Sequence, residues 1–461
     1  MKRSNEHAES TRRDFLQRTG IAVTAAAVSA SAQRVHAGHS DTIQLALVGC
    51  GGRGTGAIED AFSFQGVPTQ LVAMADVFEN TLTRSHKQLA SKYEKRVDVP
   101  DDRRFIGFDG YRHAMDCLRP GDVVLLTTPP AFRWVHFQYA LEKGLNVFME
   151  KPVTVDGPTS RRMLAQAKEA DAKNIKVAVG LMCRHCEARQ QLHDRIADGE
   201  IGDPFLLRAY RMQGSAPRAF STHTPKGFTE LLWQVKQFHS VLWASGGVFS
   251  DYLIHNIDEC CWMKNDWPVQ AMGMGGRHYR GDNVDQNFDT YSIEYTFGDG
   301  TKLLVDGRAM PGCHDEFASY IHGTKGSAVI STASHTPARC RIYKSQRINH
   351  KPDLVWAAKQ PEPNPYRLEW AHFLEAILQD RPFNELERGV QASLVTAMGR
   401  MAAHTGRIIT YQEMLECDHE FAPDVDQLTL TSAAPLVANS QGKYPVPMPG
   451  ITTNREYQNE S

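Results

Sequence analysis

The sequence predicts an α/β fold in two parts: an N-terminal parallel sheet wound with helices, then an α+β half carrying an open, mostly antiparallel sheet. Three observations predict it. An apolar, partly β-branched run from Thr42 to Val48 stops at Gly49-x-Gly51-x-x-Gly54. Apolar strands and amphipathic helices then alternate as far as Met182. Beyond that point short strand-like runs with turn signals, such as Gly298-Asp299-Gly300, take over.

Taken in order, "TIQLALV" (42–48) has the near-continuous apolar character of a parallel strand buried on both faces. In the loop that follows, Gly49 makes the tight turn, Gly51 lets backbone amides approach a pyrophosphate, and Gly54 permits close packing of helix on strand. Gly52 and Arg53 lie inside this loop and are counted with it as cofactor-binding residues. Strand and loop together form the signature of a Rossmann dinucleotide-binding domain. A second strand, "TQLVAMAD", ends at Asp76, where a carboxylate accepts hydrogen bonds from the adenosine ribose. Its charge repels a 2′-phosphate, so NAD is expected in preference to NADP.

A polar helix over about residues 79–95 leads to "RFIGF" and the short helix "GYRHAMDCL". "DVVLLTTPP" is the next strand and loop, which sets Thr127, Thr128 and Pro129 beside the cofactor, because ligands sit outside the carboxyl ends of such strands. "AFRWVHFQYALEKG" is a helix stopped by Gly144, and "NVFM" is the strand it delivers. That strand ends in Glu150-Lys151-Pro152. Pro152 biases Lys151 away from helix and aims it at the crevice. "KVAVGLM" reads as a last parallel strand, followed by Arg184 as a substrate-binding candidate. After Gly246-Gly247 a helix carries Asp251, His255 and Asp258 at i, i+4 and i+7, on one face.

These residues carry a resemblance. The glycine loop, "EKP" at 150–152 and "GGxxxDxxxHxxD" at 246–258, in that order, resemble the Gfo/Idh/MocA oxidoreductases, the group of glucose–fructose oxidoreductase and inositol dehydrogenase. The ending "YRLEWAHFLEAI…AMGRMAAHTGRIITYQEML" is similar to its exported bacterial branch, and the likeness runs from about Ile43 to Leu415. It implies a Rossmann domain plus an open-faced substrate sheet, a nicotinamide cofactor, and oxidation of hydroxyls of sugars, polyols or related compounds. It matches the family lysine to Lys151 and the helix-borne pair to Asp251 and His255, and it implies a homo-oligomer formed through the open sheet face. The pocket stretch "RMQGSAPRAFSTHTPKGF" (211–228) matches no substrate pattern.

The expected catalytic set is therefore Lys151, His255 and Asp251. A free lysine titrates near ~10.4 and a histidine near ~6.5. His255 is thus assigned as base, Lys151 as polariser of the hydroxyl, and Asp251 as orienter of substrate or of His255. Glu150 and Lys151 also border the cofactor; Arg184, Asp251 and His255 face the substrate. Two alternatives stand beside this: redox-neutral glycoside cleavage or epimerisation on the same cofactor, and a non-catalytic sugar- or dinucleotide-binding protein.

Composition bounds the rest. In 461 residues, 41% hydrophobic and 23% charged, Lys plus Arg (51) nearly balance Asp plus Glu (53), which gives no basic excess for nucleic acid. No apolar run approaches the ~18 residues of a membrane span. Residues 1–40 read as a twin-arginine signal peptide and linker, with Arg12-Arg13, the weakly apolar 21–32 and Ala30-Ser31-Ala32, so a periplasmic location is expected. The domains follow as 41–175 (Rossmann), 176–420 (substrate and oligomerisation) and 421–461 (extended tail). The nine cysteines include Cys183-x-x-Cys186 and Cys260-Cys261, but only His185 and His193 lie near enough to complete a zinc set, and no metal is expected.

Overall fold

The computed structural model describes residues 42–214, 216, 218–221, 227–278 and 282–458; the expected signal segment lies outside the described residues. Strands β1 (Ile43–Val48), β2 (Thr69–Asp76), β3 (Arg104–Ile106), β4 (Val123–Leu126), β5 (Asn146–Met149) and β6 (Val177–Val179) form one parallel sheet in the order β3-β2-β1-β4-β5-β6. The connecting helices are α1 (Gly52–Ser63), α2 (Glu79–Tyr93), α3 (Gly110–Asp116), α4 (Arg133–Glu142) and α5 (Gly157–Ala172). The strands read as unbroken apolar runs because each serves two faces. Ala46, Val48, Val124 and Leu126 enter one core; Leu45, Leu47, Val123 and Leu125 enter the other. The strand order reverses between β1 and β4, and the crevice at that switch point lies outside their carboxyl ends, beside the glycine loop.

The expected boundary at residue 175 falls one strand early. β6 pairs in parallel with β5, so the first sheet continues to Val179.

After α6 (Glu187–Ala197) comes the first strand of a second sheet, β7 (Pro204–Gln213), then α7 (Glu230–Lys236), α8 (Leu242–Ser245) and the long α9 (Gly247–Lys264). The sheet continues with β8 (Gln270–Gly276), β9 (Thr290–Thr296), β10 (Lys302–Ala309), β11 (Glu316–Gly323), β12 (Ser327–Thr332), β13 (Arg341–Tyr343) and β14 (Leu354–Ala357). Helices α10 (Pro365–Leu378) and α11 (Leu386–Thr405), strand β15 (Ile409–Thr410) and α12 (Tyr411–Glu416) complete the elements. The order is β14-β13-β12-β11-β7-β10-β9-β8-β15, antiparallel except where β10 lies parallel to β7. The sequence reading places no strand at β13, β14 or β15; at two to four residues they are too short for a period to declare itself. Along β10 the burial alternates, Leu303 and Val305 inward against the helices and Lys302 and Asp306 on the open face.

Two later segments return to the first sheet. Trp370, Phe373, Leu374 and Ile377 of α10 join the core built by α1, and Trp370 stacks on Phe148 of β5 with ring centroids 4.5 Å apart. The tail does not trail away: Leu436, Tyr444 and Tyr457 enter the core on the opposite face of that sheet.

The tail also carries a buried charge. Both Glu456 oxygens accept hydrogen bonds from Arg400 of α11, each at 2.8 Å, and Oε2 pairs with His404 Nδ1 at 2.7 Å. Arg400 in turn donates to Ser250 Oγ (2.6 Å) at the start of α9 and to the Val155 carbonyl (2.8 Å). Removing one partner of such a buried set leaves an uncompensated charge, so Glu456→Gln is expected to cost about 3–5 kcal/mol in denaturant unfolding. Arg400 and His404 hold the Glu456 carboxyl down at about 2, against an ordinary 4.5, despite its burial. Its contribution is present above pH 4.5 and lost as pH falls through 2. In that window the unfolded chain binds more protons, so stability rises with pH. An acid melt of wild type should be steeper there than that of the Gln variant.

Candidate active site

The glycine loop is built as its spacing requires. Gly49 has φ +96°, and a Cβ there would meet the Thr127–Thr128 peptide at 2.7 Å. A Cβ on Gly54 would meet the Gly49 carbonyl oxygen at 2.2 Å, which is how closely α1 approaches the turn. Gly51 and Gly52 face open space instead. Gly51 is the N-cap of α1 and supplies no side-chain acceptor to the first amides of the helix. A dinucleotide's pyrophosphate suits this cradle, since it brings negative oxygens to unsatisfied N–H groups at the positive end of a helix.

Asp76 closes the same groove. Its oxygens accept the backbone amides of Cys50 (2.7 Å) and Phe78 (2.8 Å), which orient the carboxylate and leave lone pairs for ribose hydroxyls. Thr127, Thr128 and Pro129 line the groove opposite, with Thr127 Oγ1 donating to the Gly49 carbonyl at 2.5 Å. From the second half of the chain, Arg218, Val235, Lys236 and Phe238 cover it. Lys236 Nζ lies 4.5 Å from the centre of the Phe78 ring, and α7 is pinned from behind, Gln234 Nε2 donating to the Leu436 carbonyl at 2.7 Å.

Next to this groove is a cleft of about 340 Å³ lined by Arg53, Thr127, Thr128, Glu150, Lys151, Asp251 and His255, among others. β5 ends at Met149, and the Lys151–Pro152 peptide is cis. Glu150 turns back to the glycine loop and accepts from Arg53 Nε at 2.5 Å, joining the two motifs. Lys151 reaches α9, where its Nζ donates to the Asp251 carbonyl (2.8 Å) and lies 3.4 Å from Asp251 Oδ1. The start of α9 is fixed by Gly246 and Gly247, both with positive φ; a Cβ on Gly247 would meet Asn287 Oδ1 at 2.4 Å, the same oxygen that accepts the Val248 amide.

Asp251 is buried, which opposes its charge, but Lys151 and His239 outweigh that and hold it well below the ordinary carboxylate range. His239 Nε2 lies 2.9 Å from Asp251 Oδ2. Asp251 therefore orients Lys151 and His239; the expectation that it orients His255 is corrected. His255 lines the cleft one turn further on, with Nδ1 buried and unpartnered among the described residues and its ring centroid 4.4 Å from that of His335. Its assumed ordinary pKa is also corrected. Burial, then the neighbouring His335, Lys151 and Arg211, push it well below 6.5, so the imidazole is neutral.

Arg184 does not face the cleft. Its guanidinium makes two hydrogen bonds to Asp258, at 2.7 and 3.0 Å, and stacks on Trp262, because the turn after β6 directs it along α9 towards a buried carboxylate. Asp258 thus leaves the reactive face for a structural pair. Cys183 lies 3.9 Å from His335 Nδ1 and Cys186 bonds to Glu362, so the two thiols have separate partners. The sequence reading missed His239 and His335, which sit in segments without helical or strand period, and Arg211, which lay in the stretch singled out as pocket-lining but carried no pattern of its own.

A family profile described as the GFO/IDH/MocA C-terminal domain matches residues 189–329. The chain is 28% identical over 265 residues to the scyllo-inositol 2-dehydrogenase (NAD(+)) of Bacillus subtilis, covering 56% of this chain and 68% of that protein. Against the 1,5-anhydro-D-fructose reductase of Ensifer adhaerens the match is 21% over 224 residues, 45% of this chain and 56% of that one, so less than two thirds of that relative is spanned. In structure it is similar to the aldose-aldose oxidoreductase of Caulobacter crescentus (TM-score 0.61, 16% identity, 80% of this chain and 99% of that). It is also similar to the scyllo-inositol dehydrogenase of Lactobacillus casei with bound NAD(H) and scyllo-inositol (TM-score 0.59, 21% identity, 80% and 99%). At these identities the structural likenesses speak for the fold. The GFO/IDH/MocA C-terminal-domain match at residues 189–329, with the glycine loop, the Glu-Lys-Pro strand end and the Asp/His helix assembled round one crevice, makes the chain similar to the Gfo/Idh/MocA oxidoreductases.

Proposed function

We propose that this protein is a nicotinamide-dependent oxidoreductase moving hydride between a tightly held dinucleotide, NAD in preference to NADP, and a hydroxyl-bearing carbon of a sugar, polyol or related carbohydrate. One observation carries the reading: Lys151, fixed on Asp251, and His255 line a single cleft that opens beside the glycine loop. The relatives named as dehydrogenases and reductases of inositols and anhydro-sugars support it.

When bound, the dinucleotide supplies the hydride acceptor; the chain's residues do the rest. Lys151 keeps donor capacity beyond its two contacts with Asp251 and polarises the substrate hydroxyl. The ionised Asp251 keeps that ammonium in place. His255 is neutral and takes the hydroxyl proton as hydride leaves. The burial and cations that keep it neutral also favour release of that proton in the reverse direction. A binder without chemistry would not need a buried carboxylate to hold a lysine at the mouth of a nucleotide groove.

The twin-arginine segment supports export to the periplasm, and the cover that α7 forms over the groove supports a nucleotide retained through the reaction cycle. A retained nucleotide must be reoxidised in place, by a second substrate or by the same one. A homo-oligomer through the second sheet is supported by the half-exposed open face of β9 and β10 and the exposed Met272 and Met274 on β8.

Lys151→Ala should retain nucleotide, read from the absorbance of purified protein, while single-turnover reduction by a polyol panel slows roughly 10²–10⁴-fold; wild-type rates would refute the assignment. Asp76→Ser should move the NADP-over-NAD binding ratio up roughly tenfold or more, because it removes a like charge from the 2′-phosphate position; an unchanged ratio would show that Lys236 and Arg218 already decide it.

A further inference from the structure

The proposed oxidoreductase reading leaves the substrate class open, and Arg211 narrows it. Arg211 lies on β7, and with His335 it lines both the cleft that holds Lys151 and His255 and an adjoining hollow of about 550 Å³. Among the described residues its hydrogen bonds and ring contacts, the Tyr252 ring included, are to uncharged groups. Nε donates to Gln213 Oε1 (3.1 Å), Nη1 meets His335 Nε2 (3.2 Å), and the guanidinium sits 4.3 Å from the centre of the Phe317 ring.

A guanidinium has no acceptor, so His335 Nε2 must offer its lone pair and Nδ1 carries the proton, facing Cys183 Sγ at 3.9 Å. His335 is therefore neutral, as its burial and the arginines beside it also require. Among the described residues no carboxylate ion-pairs with Arg211. Asp251 is taken by Lys151 and His239, and Asp315, exposed at the rim of the hollow, forms no pair with it.

The neighbouring buried arginines show what is missing. Arg184 is compensated by Asp258, Arg189 by Glu259 and Arg400 by Glu456. Arg133 pairs with no carboxylate but donates to the Leu126 and Thr128 carbonyls, whereas Arg211 has one side-chain amide and one imidazole, and burial pulls it below its ordinary value. A cation held among neutral groups and aimed into a substrate cleft is a site for an oxyanion. The charges of the cleft agree: Arg53, Arg133, Lys151 and Arg211 line it against Glu150 and Asp251.

We infer that the substrate is an anionic carbohydrate, a sugar acid or a sugar phosphate, whose oxyanion is held by Arg211 while its hydroxyl lies at Lys151 and His255. Gln213, His335 and Phe317 hold the guanidinium in place for it.

The test uses the nucleotide-loaded protein with glucuronate, gluconate and glucose 6-phosphate beside neutral glucose and sorbitol, reading reduction of the bound nucleotide. An anionic compound should outperform its neutral parent by roughly tenfold or more in kcat/KM, through KM, and the better of carboxylate and phosphate identifies the source of the oxyanion. In Arg211→Met that preference should fall roughly 10- to 100-fold, the range for losing a charge-assisted hydrogen bond. Arg211→Lys, which keeps the charge and the seat on Phe317, should recover part of it and serves if the Met variant does not fold. Neutral sugars preferred by the wild type, or a preference for anions untouched by either substitution, would overturn the inference and leave the oxidoreductase reading standing. Failure of every compound, across a panel widened to inositols and disaccharides, would overturn both.

Discussion

The contact between Lys151 and Asp251 holds the site together. Lys151 leaves the carboxyl end of the first sheet, Asp251 sits in the first turns of α9 against the second, and these two groups meet in the cleft. A carboxylate in so buried a place would ordinarily take up a proton. It remains ionised because an ammonium and an imidazole reach it from separate segments, one after β5 and one before α8. The lysine gains an address in return: its long side chain is fixed by a carbonyl and a carboxylate instead of sampling rotamers in solvent.

α9 divides its polar residues between chemistry and architecture. Asp251 and His255 look into the cleft. Asp258 and Glu259, a turn later, compensate Arg184 and Arg189, and Asn256 donates to Ser319 Oγ of the second sheet at 3.0 Å. These buried pairs set the depth at which the helix lies on the sheet, and hence where its reactive turn sits. Polar groups taken out of water have to find partners; here the partners fix a register. Arg211, in the cleft, has no such carboxylate partner among the described residues.

Much of this was legible in the sequence because it depends on short-range pattern. A strand covered on both faces must be apolar throughout, which exposed β1, β2, β4 and β5; a tight turn at a strand end and a close helix approach both call for glycine, which exposed Gly49 and Gly54. The i, i+4 spacing of Asp251 and His255 announced a shared face. What escaped depends on long-range pairing. Arg184 looked available until Asp258, 74 positions away, claimed it. His239 and His335 have no local signature, and the depressed basicity of His255 comes from groups far apart in the chain. Likewise nothing local in the sequence of α10 says that Trp370 belongs against Phe148.

The fastening of α7 has a kinetic meaning. Gln234 is anchored to a carbonyl 202 positions downstream. Contacts so far apart in sequence close more slowly than the short-range pairings of the first strands. The groove can therefore take shape before the helix that covers it is fastened.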